Sequence, residues 1–321
     1  MREQKLTPEQ MRRKRTLIAK RKRNRRLRRI SFSVSLLLFL LIGIETVGKL
    51  GHGVGGEKVN ITTSQEEETM AELSYQSSYG VVVPKQFTQE EMEDRLAALA
   101  AEYDEFAEIY DNRSQYSQKL LMALCNNPEM VDFVKGYPKA DGTVWEELTD
   151  GELRQKMPLL IQWDERWGYM PYGDSVMGLA GCAPTCLSMV VIALTGDVSA
   201  TPAAIAQFAE TNDYYLKGTG TKWSLMSEGC LHFGIYSRQD APARDLIERE
   251  LAAGNPIICS VREGDFTAGG HFIVLSGLSE GKIQVHDPNS RERSSRLWEY
   301  DTLAEQIKNM WIFYPISESK P

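Results

Sequence analysis

Hydrophobic and polar positions follow three successive rhythms along the chain. Between Ile30 and Ile44, fifteen successive residues carry no charge and leucine dominates. From Met92 the apolar residues recur at Leu96, Leu99, Tyr103, Phe106 and Tyr110, and spacings of 4, 3, 4, 3 and 4 lay one narrow stripe along an amphipathic helix. Thr88 and Glu91 form a capping box ahead of it. A second helix is expected over about 114–125, and a third from Pro128 through about 135, with Asn127 as its cap. The third rhythm fills the C-terminal half. Leu187 to Leu194 reads as a buried helix, Thr201-Pro202 opens another to about 210, and 245–253 forms one more that Gly254 ends. Strand-like runs follow at 256–261, 271–275, 282–286 and 311–314. Helices first and an antiparallel sheet afterwards predict an α+β fold.

Composition adds a compartment to this picture. At 321 residues and 42% apolar, the chain exceeds one typical domain and can bury a sizeable core. Residues 1–30 hold fourteen Lys or Arg against two Glu, a balance of +12 that leaves −19 on the remainder. A basic tail over 1–29 abutting an apolar run is expected to be the cytoplasmic flank of an uncleaved signal anchor over 30–48. No A-x-A-like cleavage site follows the run, and the arm is far longer than a secretory leader usually carries. The body would then lie outside the membrane, and nucleic-acid binding is disfavoured because the basic run adjoins apolar sequence. Residues 49–85 are rich in Gly, Ser, Thr and Glu and read as a flexible stalk, with His52 an ordinary member of it. Asn60-Ile61-Thr62 and Asn112-Arg113-Ser114 fit a glycosylation pattern. The turn-forming stretch Tyr137 to Gly142 closes the helical region, 86–150, which reads as a prodomain or packing collar, and 151–321 is the remaining domain. Five cysteines, odd in number and irregularly spaced, are neither a disulfide framework nor a structural zinc site. Nothing in the sequence indicates an oligomeric state.

The candidate chemistry begins at Gly181-Cys182-Ala183-Pro184-Thr185-Cys186. A small-residue turn running into a buried helix puts Cys182 at the helix mouth, where unpaired N–H groups and the positive end of the dipole favour a thiolate. A nucleophilic cysteine needs a base, a group to orient that base, and donors for an oxyanion. His271 follows Gly269-Gly270 at the start of a strand and is the candidate base. Asp287 ends the next strand just before Pro288, placing a carboxylate within reach of His271, although Asn289 could orient the imidazole instead. Gln162, some twenty residues before the cysteine, can donate a side-chain N–H to an oxyanion beside the Cys182 backbone N–H. Trp163, Trp167, Tyr169 and Tyr172 read as packing, with a cleft wall as the alternative. His232, Cys125, Cys230 and Cys259 read as core residues, and His286 as structural or exposed.

In this order the residues resemble those of the papain-like cysteine peptidases of family 39, whose best-known members remove double-glycine leaders. The likeness spans about 157–315 and rests on Gln162-Trp163, Trp167-Gly168, Tyr172-Gly173, Gly181 to Thr185, Gly218-Thr219 with Trp223, Gly254 to Ile257, Gly270-His271-Phe272 and Asp287-Pro288. The resemblance implies a papain-like fold, a peptide or protein substrate, Cys182 as nucleophile, His271 as base, Asp287 as its orienter and Gln162 as the oxyanion-hole amide. No metal or organic cofactor is implied. Two positions depart from the family pattern: Ala183 stands where glycine is usual, and Cys186 where a small or hydroxyl residue is usual. A thiol one turn from the nucleophile could trap it on oxidation, though a disulfide across a regular helical turn is strained. Three other readings stay open on the residues alone: a surface binding module using the 88–135 helices, a cell-wall amide hydrolase, and a metal site of Cys182, Cys186 and His271.

Overall fold

The computed structural model describes residues 75–80, 82–145 and 147–316. The basic tail, the expected anchor over 30–48, and the expected stalk as far as residue 74 lie outside the described residues, as does the Asn60 glycosylation pattern. Among the described residues, no helix is long and apolar enough to cross a membrane.

The chain first builds a layer of four helices. Helix α1 (Gln89–Glu102) opens on the expected capping box: Glu91 N donates to Thr88 Oγ1 at 3.2 Å and Thr88 N donates to Glu91 Oε2 at 2.8 Å. The apolar stripe predicted one continuous helix, but the chain breaks at Tyr103 (φ −132°, ψ 119°) and resumes as α2 (Asp104–Asp111). At the break the Tyr103 hydroxyl donates to Ser78 O at 3.0 Å, and its ring meets Tyr79 edge-on at 4.9 Å. Contacts with the preceding segment thus compete with helix continuation, a choice that spacing cannot reveal. Helix α3 (Gln118–Asn126) starts at Ser117, whose hydroxyl accepts from Leu120 N. Asn127 then caps a 3-10 turn, Pro128–Met130, that leads into α4 (Val131–Gly136). Leu96, Leu99, Phe106, Leu120, Leu124 and Phe133 bury one cluster, which takes in Ile161 and Trp163 from the next region.

That region opens with α5 (Asp150–Arg154), the hairpin β1 (Pro171–Tyr172) and β2 (Ser175–Val176), and the single turn α6 (Met177–Ala180). Helix α7 (Cys182–Thr195) follows and is buried at every position from Ala183 to Ile192. An all-round apolar helix of this kind belongs in the middle of a core. Then come α8 (Pro202–Thr211), capped by Thr201, the hairpin β3 (Tyr215–Leu216) and β4 (Gly220–Thr221), and α9 (Ser224–Ser227). The remainder is a six-stranded sheet with three helices between its strands: β5 (Ile235–Asp240), α10 (Arg244–Ala252), β6 (Ile257–Val261), β7 (His271–Ser279), β8 (Lys282–His286), α11 (Arg291–Ser294), β9 (Leu297–Trp298), α12 (Tyr300–Ala304) and β10 (Ile307–Pro315). Strand order is β5-β10-β6-β7-β8-β9, and each neighbouring pair is antiparallel. The mixed helix and antiparallel-sheet architecture is the expected α+β class.

Both faces of the sheet are covered, so its central strands alternate between two cores. Ile258, Val274, Trp311 and Phe313 pack with α7 on one face. Ile257, Cys259, Ile273 and Leu275 pack with Ile247 and Leu251 of α10 on the other. Hence β6 is buried at every residue, which explains why it reads as a nearly continuous apolar run interrupted by Ser260 alone. Cys125, Cys230 and Cys259 are core residues as expected. His232 is not: it is exposed and stacks on Phe208 with ring centres 4.4 Å apart, because its 3-10 turn (Gly229–Phe233) buries only Gly229 and Cys230.

Phe133 joins the layer to the site region. Its ring stacks on Tyr169 at 4.6 Å and fills the space a side chain at Gly178 would need. Replacing it with alanine removes that contact and leaves a cavity. Phe133→Ala should therefore lower unfolding free energy by about 3–5 kcal/mol, measured by urea denaturation.

Candidate active site

Cys182 is the first residue of α7, after the single turn α6 and Gly181. The turn requires glycine: a Cβ at Gly181 would lie 2.5 Å from the Met177 carbonyl oxygen. Ala183, by contrast, causes no strain, since the non-glycine residues with positive φ among those described are Asp213 and Glu280. Thr185 N donates to Gly181 O, which starts the helical ladder and leaves the Cys182 N–H in the first turn, where no intrahelical acceptor exists.

The sheet delivers the other two groups. His271 is the first residue of β7, and β7 pairs with β8 in a register that sets Val274 opposite His286. Asp287 follows directly after β8, at the end of the sheet where β7 begins with His271. The two side chains meet there: His271 Nε2 lies 2.7 Å from Asp287 Oδ1. A carboxylate only accepts, so Nε2 carries the proton and Nδ1 of the neutral ring is left as an acceptor. Cys182 lines the same cleft as His271, and its thiol is one of the neighbours that raise the pKa of this imidazole.

Asp287 is fully buried and well supplied with donors. Asn289 N donates to its Oδ1 at 2.8 Å, and Arg293 Nε, on α11, donates to Oδ2 at 2.6 Å. Burial pushes the Asp287 pKa up, but Arg293 and His271 outweigh burial and hold it at about 2. For His271, burial acts downward, and Asp287 and Cys182 more than reverse it, taking the pKa to about 9. Of the two orienters the sequence left open, Asp287 holds the imidazole. Asn289 contributes backbone only: its N–H goes to Asp287, and its carbonyl accepts from Trp163 Nε1 at 2.8 Å and from the Asn127 side chain.

Gln162 is 4% exposed and shares the cleft with Cys182 and His271. Its backbone N donates to Pro288 O at 2.7 Å, tying it to the Asp287 loop, and its Nε2 donates to Gly178 O at 3.0 Å. An amide nitrogen carries two protons, so one remains for a ligand, while Oε1 is buried without a partner. Cys186 is buried one turn below Cys182, and burial, followed by the neighbouring Cys182, pushes its pKa well up. Trp163, Trp167 and Tyr172 are packing residues and do not line the cleft. Instead, Tyr215 and the exposed Trp223 line it, and Tyr172 braces the β3–β4 hairpin that carries Tyr215 by a 2.7 Å hydrogen bond to Thr221. His286 is half-buried, with an enclosed Nδ1 that has no partner.

Sequence reasoning missed two contributors. Arg293 sits in the polar run Ser290 to Arg296 and looks like a solvated surface residue, yet it is 2% exposed. The second is the helical layer, because Lys119, Met122, Ala123 and Asn126 of α3 line the same cleft of about 780 Å³.

Residues 154–315 match the model of the family described as Peptidase_C39 like family. A solved structure, a candidate C39-like peptidase from Bacillus anthracis, is 15% identical, covers 51% of this chain and 96% of its own, and superposes with a TM-score of 0.28. No curated protein matches the sequence.

The pKa shifts fix a direction for stability. His271 has a folded pKa raised above 6.5, so its contribution is complete below about 6.5 and is lost as pH rises through about 9. Asp287, lowered from 3.8 to about 2, contributes above about 3.8 and loses that contribution as pH falls through about 2. Urea unfolding measured from pH 6 to 10 should show a decline of a few kcal/mol, on the order expected for such a shift, in the wild type. The His271→Gln protein should lack that component.

Proposed function

The chain belongs to the Peptidase_C39 like family, and from this we propose that it is a cysteine peptidase hydrolysing peptide amide bonds with Cys182 as nucleophile. Family membership supports a peptidase acting on peptides or proteins; the assignment of roles is our own reading. The observation that carries it is that Cys182 at the head of α7 and His271 line one cleft, with His271 paired to the buried Asp287 behind it.

In the proposed reaction, His271 Nδ1 takes the proton from Cys182 Sγ, and the thiolate attacks the substrate carbonyl carbon. The resulting oxyanion accepts from the Cys182 backbone N–H and from the second Nε2 proton of Gln162. Imidazolium then gives its proton to the departing amine nitrogen as the C–N bond breaks, leaving an acyl thioester on Cys182. Water, deprotonated by the same imidazole, hydrolyses that thioester and restores the thiol. Throughout, Asp287 holds the Nε2 proton and stabilises the imidazolium without itself being protonated.

The proposal includes an anchored, extracytoplasmic location. That part rests on sequence: fourteen basic residues followed by the uncharged run from Ile30 to Ile44.

Cys182→Ala should abolish hydrolysis of a peptide-library substrate while leaving the unfolding midpoint near that of the wild type; retained turnover would overturn the assignment. Gln162→Ala removes one oxyanion donor and should lower kcat by about 10²–10³-fold in the same assay. For the location, a membrane-impermeant maleimide applied to intact cells should label Cys182, whereas labelling only after lysis would place the domain inside.

A further inference from the structure

The family match begins at residue 154, yet the loop that carries Asp287 is held by a residue upstream of it. We propose that Glu129 is a positioning residue for the Cys182 site, acting from the helical layer through α11, Arg293 and Asp287. This deepens the peptidase reading and rests on it.

Glu129 lies in the 3-10 turn that Asn127 caps. Its carboxylate accepts from Ser290 Oγ at 2.5 Å, from Arg291 N at 3.1 Å and from Glu292 N at 3.3 Å. The two amides belong to the first turn of α11, where a helix has no acceptor of its own for them. Ser290 is shared, since its hydroxyl also accepts from Arg293 N at 3.1 Å. Next to it, the Asn127 side chain donates to Asn289 O, and the Arg291 guanidinium stacks over Trp163 at 4.7 Å. Five residues in succession, 289 to 293, are therefore fixed at the side facing the helical layer or by a group fixed there. Arg293 is the last of them, and its Nε donates to Asp287.

The consequence is mechanical and then electrostatic. Three acceptor bonds set where α11 begins, α11 sets where the Arg293 guanidinium lies, and that group keeps Asp287 ionised and aimed at His271. Without Glu129 the two α11 amides lose their acceptor and the Ser290 hydroxyl loses one partner, so the first turn is held by its bonds to Ser290 and Ser294 and by Ser77. Arg293 then shares Asp287 less well, and the imidazole becomes a weaker partner for the Cys182 thiolate. Cys186 and Tyr172, also near this cysteine, have pKa values pushed upward chiefly by burial and remain uncharged near neutrality, while Lys119, Asp174 and Lys308 line the same cleft and are unchanged in the variants compared below.

The test is the rate of Cys182 alkylation by iodoacetamide in the full chain between pH 4 and 9, read by mass spectrometry of the residue-182 peptide. Wild type, Glu129→Gln and Glu129→Ala are compared, with thermal unfolding recorded for each. At pH 6 the wild type should be alkylated at residue 182 much faster than free glutathione. Glu129→Ala should slow that reaction about tenfold. Glu129→Gln is of equal size and keeps one acceptor oxygen, so it should fall between them, and it carries the test should the alanine protein not fold. Rates equal to wild type in the folded variants, even with lowered thermal stability, overturn the proposal, since Glu129 would then be structural only. A wild-type rate no faster than that of glutathione overturns the peptidase reading and this inference with it.

Discussion

Burying the Asp287 carboxylate is a cost that the surrounding chain is arranged to offset. Removing one ion from water costs several kcal/mol even after relaxation, and one opposite charge at about 4 Å gains roughly 4 kcal/mol at an effective dielectric of about 20. A single partner would leave little margin. Asp287 has two cationic neighbours and a backbone amide, with Oδ1 shared by His271 and Asn289 N and Oδ2 taken by Arg293. The division matters because Arg293 is charged at every accessible pH, whereas an imidazole gains and loses its proton. With the guanidinium in place, the carboxylate stays ionised whichever state His271 is in.

That constraint explains where the groups sit in the fold. His271 and Asp287 occupy the ends of adjacent strands, one opening β7 and one just past β8, so the register places them and packing on both sheet faces keeps it. Cys182 occupies the end of a different element, the first position of a helix buried from Ala183 to Ile192. Cys182 and His271 thus reach a common cleft from the termini of rigid elements, with Asp287 buried behind His271, and none of the three depends on a long loop. Gln162 is tied to the same loop as Asp287 through Pro288 O, so the candidate oxyanion donor and the orienting carboxylate share one support.

Much of this was legible in the sequence, for a physical reason. A small-residue turn before an apolar run, a pair of glycines before a strand and a proline after one each report local backbone states, and local states survive in sequence. The strand runs at 256–261, 271–275 and 282–286 were visible because burial on both faces, or on one, writes a continuous or alternating apolar pattern, whereas the half-buried end of β7 to Ser279 was not. Arg293 was invisible because its neighbours are polar and its burial is created by residues far away in the chain. The break at Tyr103 was invisible because a tyrosine fits the stripe whether its ring lies along a helix or turns to meet Tyr79. His232 failed the other way: apolar neighbours suggested burial, but a 3-10 turn leaves one side of such a run in solvent.

The helical layer was the harder element to interpret, since sequence left a prodomain and a packing collar both open. Packing favours the collar. Ile161 and Trp163, within the family-matched region, complete the same buried cluster as Leu96, Phe106, Leu124 and Phe133. If the layer departed, those two side chains would lose their cover and expose a contiguous apolar patch of the kind monomeric proteins seldom show. Trp163 has a second attachment, because its indole N–H donates to Asn289 O beside the Asp287 carboxylate. Uncovering Trp163 would therefore disturb the loop that orients His271. The layer therefore shares its core with the family-matched region, and its α3 face is one wall of the cleft.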